Sequence, residues 1–306
     1  MNTIGLSHVD TSLREFLADM VLKIAQKFND EIVSIALFGS AATKEWIKGK
    51  SDIDFIVVTK HKDMKKVVED SINVILQDLD RKHCLHLVQT CSVFAKRKNP
   101  ILNFFYRLES ALMFGKPFYV FSLDEIAFDK GTISDSKIRL VTMIFDPLDI
   151  FLAKMKQTGV TIYGRDLLEE IRFSVSTISK IRIAAAPLWI VLMSLLSFPV
   201  DEVFAIRHAV KATVWACEDM LFALDFPLST ARQESRQIED IFRTRKVNLG
   251  HLRRTMVLKS ALITEMETSK GFVARYIFST IAFILTLYCE TSHIARTDRQ
   301  HSIILE

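Results

Sequence analysis

Apolar residues in the first half of the chain change repeatedly between helical and strand spacing. Leu13, Phe16, Met20 and Ile24 recur every three or four positions, which predicts an amphipathic helix over residues 12–29. Ser12 and Glu15, at its start, have the spacing of a capping box. Short apolar runs predict strands at 32–38 and 52–58, with a short helix at 41–47 between them. The same patterns predict helices at 63–80, 100–114 and 147–157, strands at 83–90, 117–122 and 137–145, and a turn segment at 159–164.

From about residue 166 onward, glycines and strand signals nearly vanish. The pattern predicts helices at 166–182 running into 183–197, and at 201–224, 230–245 and 250–292. We therefore expect an α/β (α+β) domain with a small mixed sheet over residues 1–165. An all-α helical domain over 166–306 should follow, with a role in acceptor binding or dimerisation.

Composition adds only broad limits to this picture. A chain of 306 residues is long enough for two domains, and its net charge of +4 is a weak basic bias. That bias leaves nucleic acid as a possible partner without indicating it strongly. The N-terminus lacks a basic-then-apolar signal pattern, which predicts a cytoplasmic protein. The uncharged stretch from Ile183 to Val200 predicts a buried helix or a homodimer interface rather than a membrane span.

The residues that carry chemistry cluster around the first two predicted strands. The strand at 32–38 ends in Gly39 and Ser40, and Asp52 and Asp54 stand one residue apart at the start of the next strand. Side chains two apart on a strand point to the same face, so the two carboxylates should project together. Paired carboxylates can hold Mg²⁺, and a Gly-Ser turn can bring backbone N–H groups to a phosphate. The pattern predicts metal-assisted phosphoryl or nucleotidyl chemistry.

This stretch resembles the signature of the DNA polymerase β-type nucleotidyltransferase superfamily. Ala42 and Glu45 also match the minimal nucleotidyltransferases, whereas Lys44 stands where that subgroup usually has glycine. Residues 159–168 are similar to the segment that commonly closes such domains. The resemblance implies an enzyme that transfers a nucleoside monophosphate from a nucleoside triphosphate, with ATP the expected donor, to a hydroxyl on a small molecule, protein or RNA. It implies Mg²⁺ (or Mn²⁺) as cofactor.

The resemblance also assigns roles to particular residues. Gly39 and Ser40 would bind the nucleotide, and Asp52 and Asp54 would be catalytic and hold the metal ion. Active members generally add a third acid from the next strand. The strand expected at 83–90 offers His86, or Gln89 if its register slips, and no acid. His86 could act as a general base instead, or could have no role.

Several alternatives stay open at this point. An acid from a later segment, Glu109, Asp124 or Asp146, could complete the site. With the third acid lost, the chain could be a non-catalytic nucleotide-binding protein or an antitoxin-like interaction protein with a degenerate site.

A loose Arg-to-His spacing also appears in the helical half, from Arg245 to His251 and from Arg296 to His301. The helical HEPN ribonucleases carry such a motif, in which an arginine and a histidine could act together on an RNA phosphate. A chain with many arginines and eight histidines matches this spacing readily by accident. The sequence therefore favours nucleotidyl transfer over ribonuclease chemistry.

Overall fold

The structure is a computed structural model. It describes residues 5–49, 51–87, 103, 118–135, 139, 142, 147–260 and 269–304, with only the backbone for His8 and for residues 296–304. The helices are α1 Thr11–Phe28, α2 Gly39–Ala42, α3 Met64–His83, α4 Leu148–Thr158, α5 Thr177–Arg182, α6 Ala185–Ser197, α7 Glu202–Ala223, α8 Ala231–Phe242, α9 Leu249–Ser260 and α10 Lys270–Ile304. The strands are β1 Ile32–Phe38, β2 Asp54–Thr59, β3 Phe118–Ser122, β4 Ile126–Ala127, β5 Thr132–Ile133 and β6 Val160–Gly164.

The described chain divides into two compact units, one of Met1–Met143 with Leu148–Ser176 and one of Ile144–Pro147 with Thr177–Glu306. The first unit contains a four-stranded mixed sheet in the order β3-β2-β1-β6, and the second is helical. The expected fold class, a small mixed sheet followed by an all-helical region, is confirmed. The domain boundary expected at residues 165 and 166 stays a prediction.

Alternation along β1 and β2 gives the sheet two buried faces. Leu37 and Phe55 point to one face and pack into the core that α1 and α3 complete. Ala36 and Ile56 point to the other face and pack with residues of α4. Both faces are apolar at mid-strand, so the sheet can open to solvent only at the strand ends.

The segment expected as a turn at 159–164 is the strand β6, which pairs antiparallel with β1. Gly164 adopts a φ of +77°, and a Cβ there would lie 2.1 Å from the carbonyl oxygen of Val33. Only glycine fits this position, because both the conformation and the contact exclude a side chain. The glycine therefore allows β6 to end close against β1.

The strand expected at 83–90 is wrong over its described part. Helix α3 continues to His83, Cys84 adopts a left-handed φ of 49°, and residues 85–87 are irregular. The strand that does lie beside β2 is β3, which was expected at 117–122 and which pairs parallel to β2. The short helix expected at 41–47 is also shifted, since α2 ends at Ala42.

Three other expectations are corrected. The expected strand at 137–145 is wrong at its two described positions, because residues 139 and 142 are helical. Residues 166–176 are irregular rather than helical, and the expected helix at 250–292 is interrupted, because Ser269 is not helical. The cap of α1 is Asp10, whose side chain accepts a hydrogen bond from the Ser12 N–H at 2.9 Å, and not the expected Ser12 box. The helix expected at 100–114 lies outside the described residues except at position 103.

Two stretches of the helical unit are long and apolar enough to pass a test for membrane spans by length and composition: Thr177–Ser197 and Lys270–Ala295. Half of the first apolar window is buried inside the protein, and 39% of the second. Core helices of soluble proteins pass the same test, so this finding is weak support for a membrane span.

Candidate active site

The turn that follows β1 lies directly against Asp54. Gly39 has a φ of +64°, and a Cβ added to it would lie 2.7 Å from Oδ2 of Asp54. A side chain at Gly39 would therefore be strained in its backbone and would collide with the carboxylate. The absence of a side chain brings the main chain of the Gly-Ser turn to the carboxylate, so the structure joins the two halves of the sequence motif.

The loop between α2 and β2 is held by backbone hydrogen bonds. The Thr43 N–H donates to the Gly39 carbonyl at 3.1 Å, and the Glu45 N–H donates to the Ser40 carbonyl at 3.0 Å. Lys44, between them, adopts a left-handed φ of 62°. Such a conformation disfavours residues with a Cβ, which gives a physical reason for the glycine that the resemblance implies at this position. Lysine keeps the turn at the cost of some strain.

Asp52 and Asp54 flank a buried residue at the start of β2. Ile53 is only 3% exposed, whereas both aspartates are partly exposed. This alternation is consistent with two carboxylates on one side of the chain, which stays a prediction, because Asp52 precedes the strand rather than lying within it. Both side chains reach solvent, and Asp54 does so next to Gly39.

The neighbouring strand β3 does not supply the third acid within its described residues. Its register places Phe118 beside Phe55 and Tyr119 beside Ile56, so Tyr119 is on the face that carries Asp54. Asp124 lies beyond the opposite end of β3, about 20 Å along the strand direction from Asp54. Glu109, Asp146 and Gln89 lie outside the described residues. In the part of the chain that the structure describes, no three His, Cys, Asp or Glu side chains are grouped so that they could hold a metal ion.

His86 is not on a strand beside the aspartates. It lies in the irregular segment after α3, is exposed, and has a positive φ of 56°. Its Cβ is 4.0 Å from where a Cβ on Gly49 would be, so it lies beside the loop that leads to Asp52. The apolar alternation of Leu85 and Leu87 resembles a strand, but the extra turn of α3 places these residues in a coil. A catalytic role for His86 stays a prediction.

Three half-buried aromatic side chains, which the sequence reading did not single out, line the face that carries Asp54. Phe38 is directly opposite Asp54 in the β1–β2 pair, and Tyr119 is on the same face of β3. Phe151 of α4 contacts both rings edge-on, with centroids 5.5 Å from Phe38 and 6.3 Å from Tyr119. Strand register would have been needed to find them, because they are far apart in the sequence.

The Arg-to-His spacing in the helical unit does not form an exposed pair. His251 is 5% exposed, and its Nε2 lies 3.2 Å from the hydroxyls of both Thr213 and Thr280. Burial, with a smaller contribution from the charge of Arg254, lowers the pKa of His251 to about 4. Arg245 pairs instead with Glu290 at 3.6 Å. A buried neutral histidine cannot reach an RNA phosphate, so the first match is structural, and the side chains of the second lie outside the described residues.

A family model matches the N-terminal region of the chain. Residues 18–109 match a family model described as a nucleotidyltransferase domain, a span that contains the Gly-Ser turn, both aspartates and His86. A crystal structure of spectinomycin adenyltransferase AAD(9) from Enterococcus faecialis, with ATP and spectinomycin, is 15% identical with a TM-score of 0.48. The similarity covers 89% of this chain and 98% of that chain, and at this level it carries no inference about substrates. No curated protein matches the chain.

Proposed function

We propose that this chain, whose residues 18–109 match a nucleotidyltransferase domain model, transfers a nucleoside monophosphate from a nucleoside triphosphate to a hydroxyl acceptor. ATP is the expected donor, and the acceptor is a small molecule, a protein or an RNA. Asp52, Asp54 and His86 are the proposed catalytic residues, and Gly39 with Ser40 would bind the nucleotide.

The observation that carries the proposal is the contact between Gly39 and Asp54. A Cβ at Gly39 would lie 2.7 Å from Oδ2 of Asp54, so the backbone approaches a carboxylate that remains accessible to solvent. Packing alone does not require such an arrangement at a strand end. A site that holds phosphates and a cation together does require it, because backbone N–H groups and carboxylates must face the same small volume.

The two carboxylates fit one hard cation. Asp52 and Asp54 offer oxygen ligands, which Mg²⁺ prefers. Bound there, Mg²⁺ (or Mn²⁺) would supply positive charge beside the phosphates and lower the barrier to attack on phosphorus. In the described part of the chain no third acidic ligand joins them, so a second ion would need a ligand from another segment.

In the proposed reaction, a hydroxyl oxygen of the acceptor forms a bond to the α-phosphorus and the bond to the β-phosphate breaks. Pyrophosphate leaves with that electron pair, and the hydroxyl proton passes to a base. Gly39 and Ser40 would orient the β- and γ-phosphates through the turn after β1. His86 is the proposed base, because it is exposed and lies beside the loop that carries Gly49.

The test is transfer of label from each of the four α-labelled nucleoside triphosphates, with Mg²⁺ or Mn²⁺ and cell extract as the source of acceptor. The wild type should label a product that the Asp52→Asn/Asp54→Asn double variant does not label. His86→Ala should lower the rate by about a hundredfold or more if the imidazole is the base. Absence of transfer by the wild type with every nucleotide and metal would overturn the proposal.

A second candidate function follows from the composition of β3. No described residue of that strand is acidic, which favours a protein that binds a nucleotide without transferring it. This candidate predicts that nucleotide binding depends on Asp52 and Asp54 while no pyrophosphate appears. If the double variant binds nucleotide as well as the wild type does, the carboxylates take no part in binding and this candidate fails as well.

A further inference from the structure

A cavity of about 510 Å³ lies within the helical unit, between α9 and α10. Its volume is within the range of about 300–1,000 Å³ that is typical of small-molecule sites. Arg254 lies on α9, and the other four lining residues follow each other along one side of α10. The lining residues are Arg254, Phe272, Arg275, Tyr276 and Ser279.

Among the residues that the structure describes, the two arginines of this cavity differ from Arg253 in having no acidic partner. Arg253 holds both carboxylate oxygens of Glu239, at 3.1 and 3.0 Å. Within the described residues, by contrast, no carboxylate is within ion-pair distance of Arg254 or Arg275. The Nε of Arg275 donates to the Gly271 carbonyl at 3.1 Å, which holds the side chain along its own helix. Two guanidinium groups at one cavity, with no counter-charge from the described part of the chain, favour an anionic ligand.

The floor of the cavity is aromatic and rigid. The rings of Phe272 and Tyr276 lie with their centroids 6.2 Å apart and an angle of 24° between their planes. Tyr276 is 2% exposed, and its hydroxyl is 2.6 Å from that of Thr255. The Thr255 hydroxyl donates to the His251 carbonyl at 3.0 Å, so it accepts the Tyr276 proton. This hydrogen bond holds the Tyr276 ring in place, so the ring loses little conformational entropy when a ligand binds against it.

We propose that this cavity binds a small aromatic anion, a flat ring that carries a phosphate or carboxylate group. The anionic group contacts the guanidinium groups of Arg254 and Arg275, the ring packs against Phe272 over the Tyr276 floor, and the Ser279 hydroxyl supplies a further polar contact. Arginine binds both kinds of anion in a bidentate manner, so the two chemistries share one site. The site belongs to the helical unit alone and does not depend on the proposed nucleotidyl transfer.

The test is calorimetric titration of the full chain, without metal or nucleotide, with phenyl phosphate and with benzoate. At least one of the two should bind with a Kd of about 1 mM or tighter. The tighter of the two identifies the anionic group. Inorganic phosphate and benzyl alcohol each lack half of the ligand, and both should bind about tenfold more weakly or worse.

Variants place the binding within the cavity. Arg254→Gln and Arg275→Gln each remove one charge from an exposed side chain and should weaken binding by about tenfold. Phe272→Leu keeps an apolar side chain of similar size but removes the ring, and should weaken binding by roughly fivefold. The matched control is Arg253→Gln, on the same helix but paired with Glu239, which should change binding by less than about twofold. The Asp52→Asn/Asp54→Asn variant should bind the probes as the wild type does.

Three results would overturn the proposal. One is that neither phenyl phosphate nor benzoate binds at about 10 mM. Another is unchanged binding by the Arg254→Gln/Arg275→Gln double variant, with an unaltered circular dichroism spectrum. The last is loss of binding in the Asp52→Asn/Asp54→Asn variant, which would place the probes in the sheet unit instead.

Discussion

Two groups of titratable residues in this protein have opposite surroundings. In the helical unit, His251 is buried between the hydroxyls of Thr213 and Thr280. Each threonine hydroxyl donates its proton to a backbone carbonyl, so each can only accept from the imidazole. The neutral ring therefore carries its proton on Nε2, and its polar edge is satisfied inside the protein.

At the end of β2, the aspartates are partly exposed, and a glycine keeps the adjacent space open. The contrast distinguishes a residue that stabilises the fold from residues that can bind a ligand. A buried polar group whose hydrogen bonds are complete stabilises the fold and has no capacity left for a substrate. A solvent-accessible carboxylate beside a glycine, by contrast, can bind a metal ion, either alone or together with a phosphate. Residue type and spacing alone make both groups candidates for an active site.

The largest effect on stability should come from His251→Ala. The change leaves a cavity and removes the donor to two buried hydroxyls, so the free energy of unfolding should fall by about 2–5 kcal/mol. His86→Ala is the matched control, since His86 is exposed, and it should cost less than about 1 kcal/mol. Urea unfolding followed by circular dichroism measures both. Equal losses of unfolding free energy in the two variants would contradict the view that only His251 stabilises the fold.

A pH dependence should accompany the buried histidine. The pKa of His251 falls from 6.5 to about 4 on folding, chiefly through burial. The folded state thus binds fewer protons than the unfolded state between these values. The contribution of the neutral ring is complete above pH 6.5 and is lost as the pH falls to about 4, amounting to about 3 kcal/mol.

Burial likewise lowers the pKa of His208 to about 4, with the same sign. Unfolding free energies at pH 7.5 and pH 5.5, about one unit on either side of the ordinary pKa of a histidine, should therefore differ less in His251→Gln than in the wild type. An unchanged pH dependence in that variant would show that the ring is not held neutral by its surroundings.

Gly39→Ala tests the accessible site at the end of β2. The new Cβ would occupy a strained conformation and lie 2.7 Å from Oδ2 of Asp54. We expect a loss of about 1–2 kcal/mol in unfolding free energy. We also expect Gly39→Ala to weaken nucleotide binding more than the control variant Gly49→Ala does, because the Asp54 carboxylate must move away from the new Cβ. Gly49→Ala has a similar φ of +72° but no contact closer than 4.0 Å, so it controls for backbone strain. Equal nucleotide binding by the two variants would contradict the role given to the Gly39 contact.

The smallest expected effect is stabilising. Lys44 has a left-handed φ of 62° in the loop after α2, so Lys44→Gly should relieve strain. The gain should be below about 1 kcal/mol, because glycine also loses more entropy on folding. Thermal unfolding should show a slightly higher midpoint. A lower midpoint would mean that the lysine side chain contributes more than its conformation costs.

The sequence was sufficient for helix α1, for strands β1 and β2, and for placing the Gly-Ser turn beside Asp54. Helix α1 and strands β1 and β2 lie close to where apolar periodicity places them, because one face of each is buried. The motif is local as well, since the chain from Gly39 to Asp54 forms a single connection between adjacent antiparallel strands.

What could not be predicted depends on contacts between distant segments. The strand beside β2 comes from residues 118–122, and the nearer apolar alternation at 83–87 ends a helix instead. Tertiary packing decides which strand occupies a sheet position, so the third acid was expected on a segment that is not the neighbouring strand. The aromatic neighbours of Asp54 escaped notice for the same reason, because Phe38, Tyr119 and Phe151 meet only in the folded sheet.

The measurement that tests the central claim most directly is the ratio of pyrophosphate released to nucleoside monophosphate transferred. It should be made on the wild type, on Asp54→Asn, and on Asp124→Asn, a matched exposed acid beyond the far end of the neighbouring strand. Nucleotidyl transfer at Asp54 predicts one pyrophosphate for each transferred group in the wild type and in Asp124→Asn. It predicts that the rate of nucleotidyl transfer falls by about a thousandfold in Asp54→Asn. Equal rates for the two variants would contradict the claim that this carboxylate belongs to the active site.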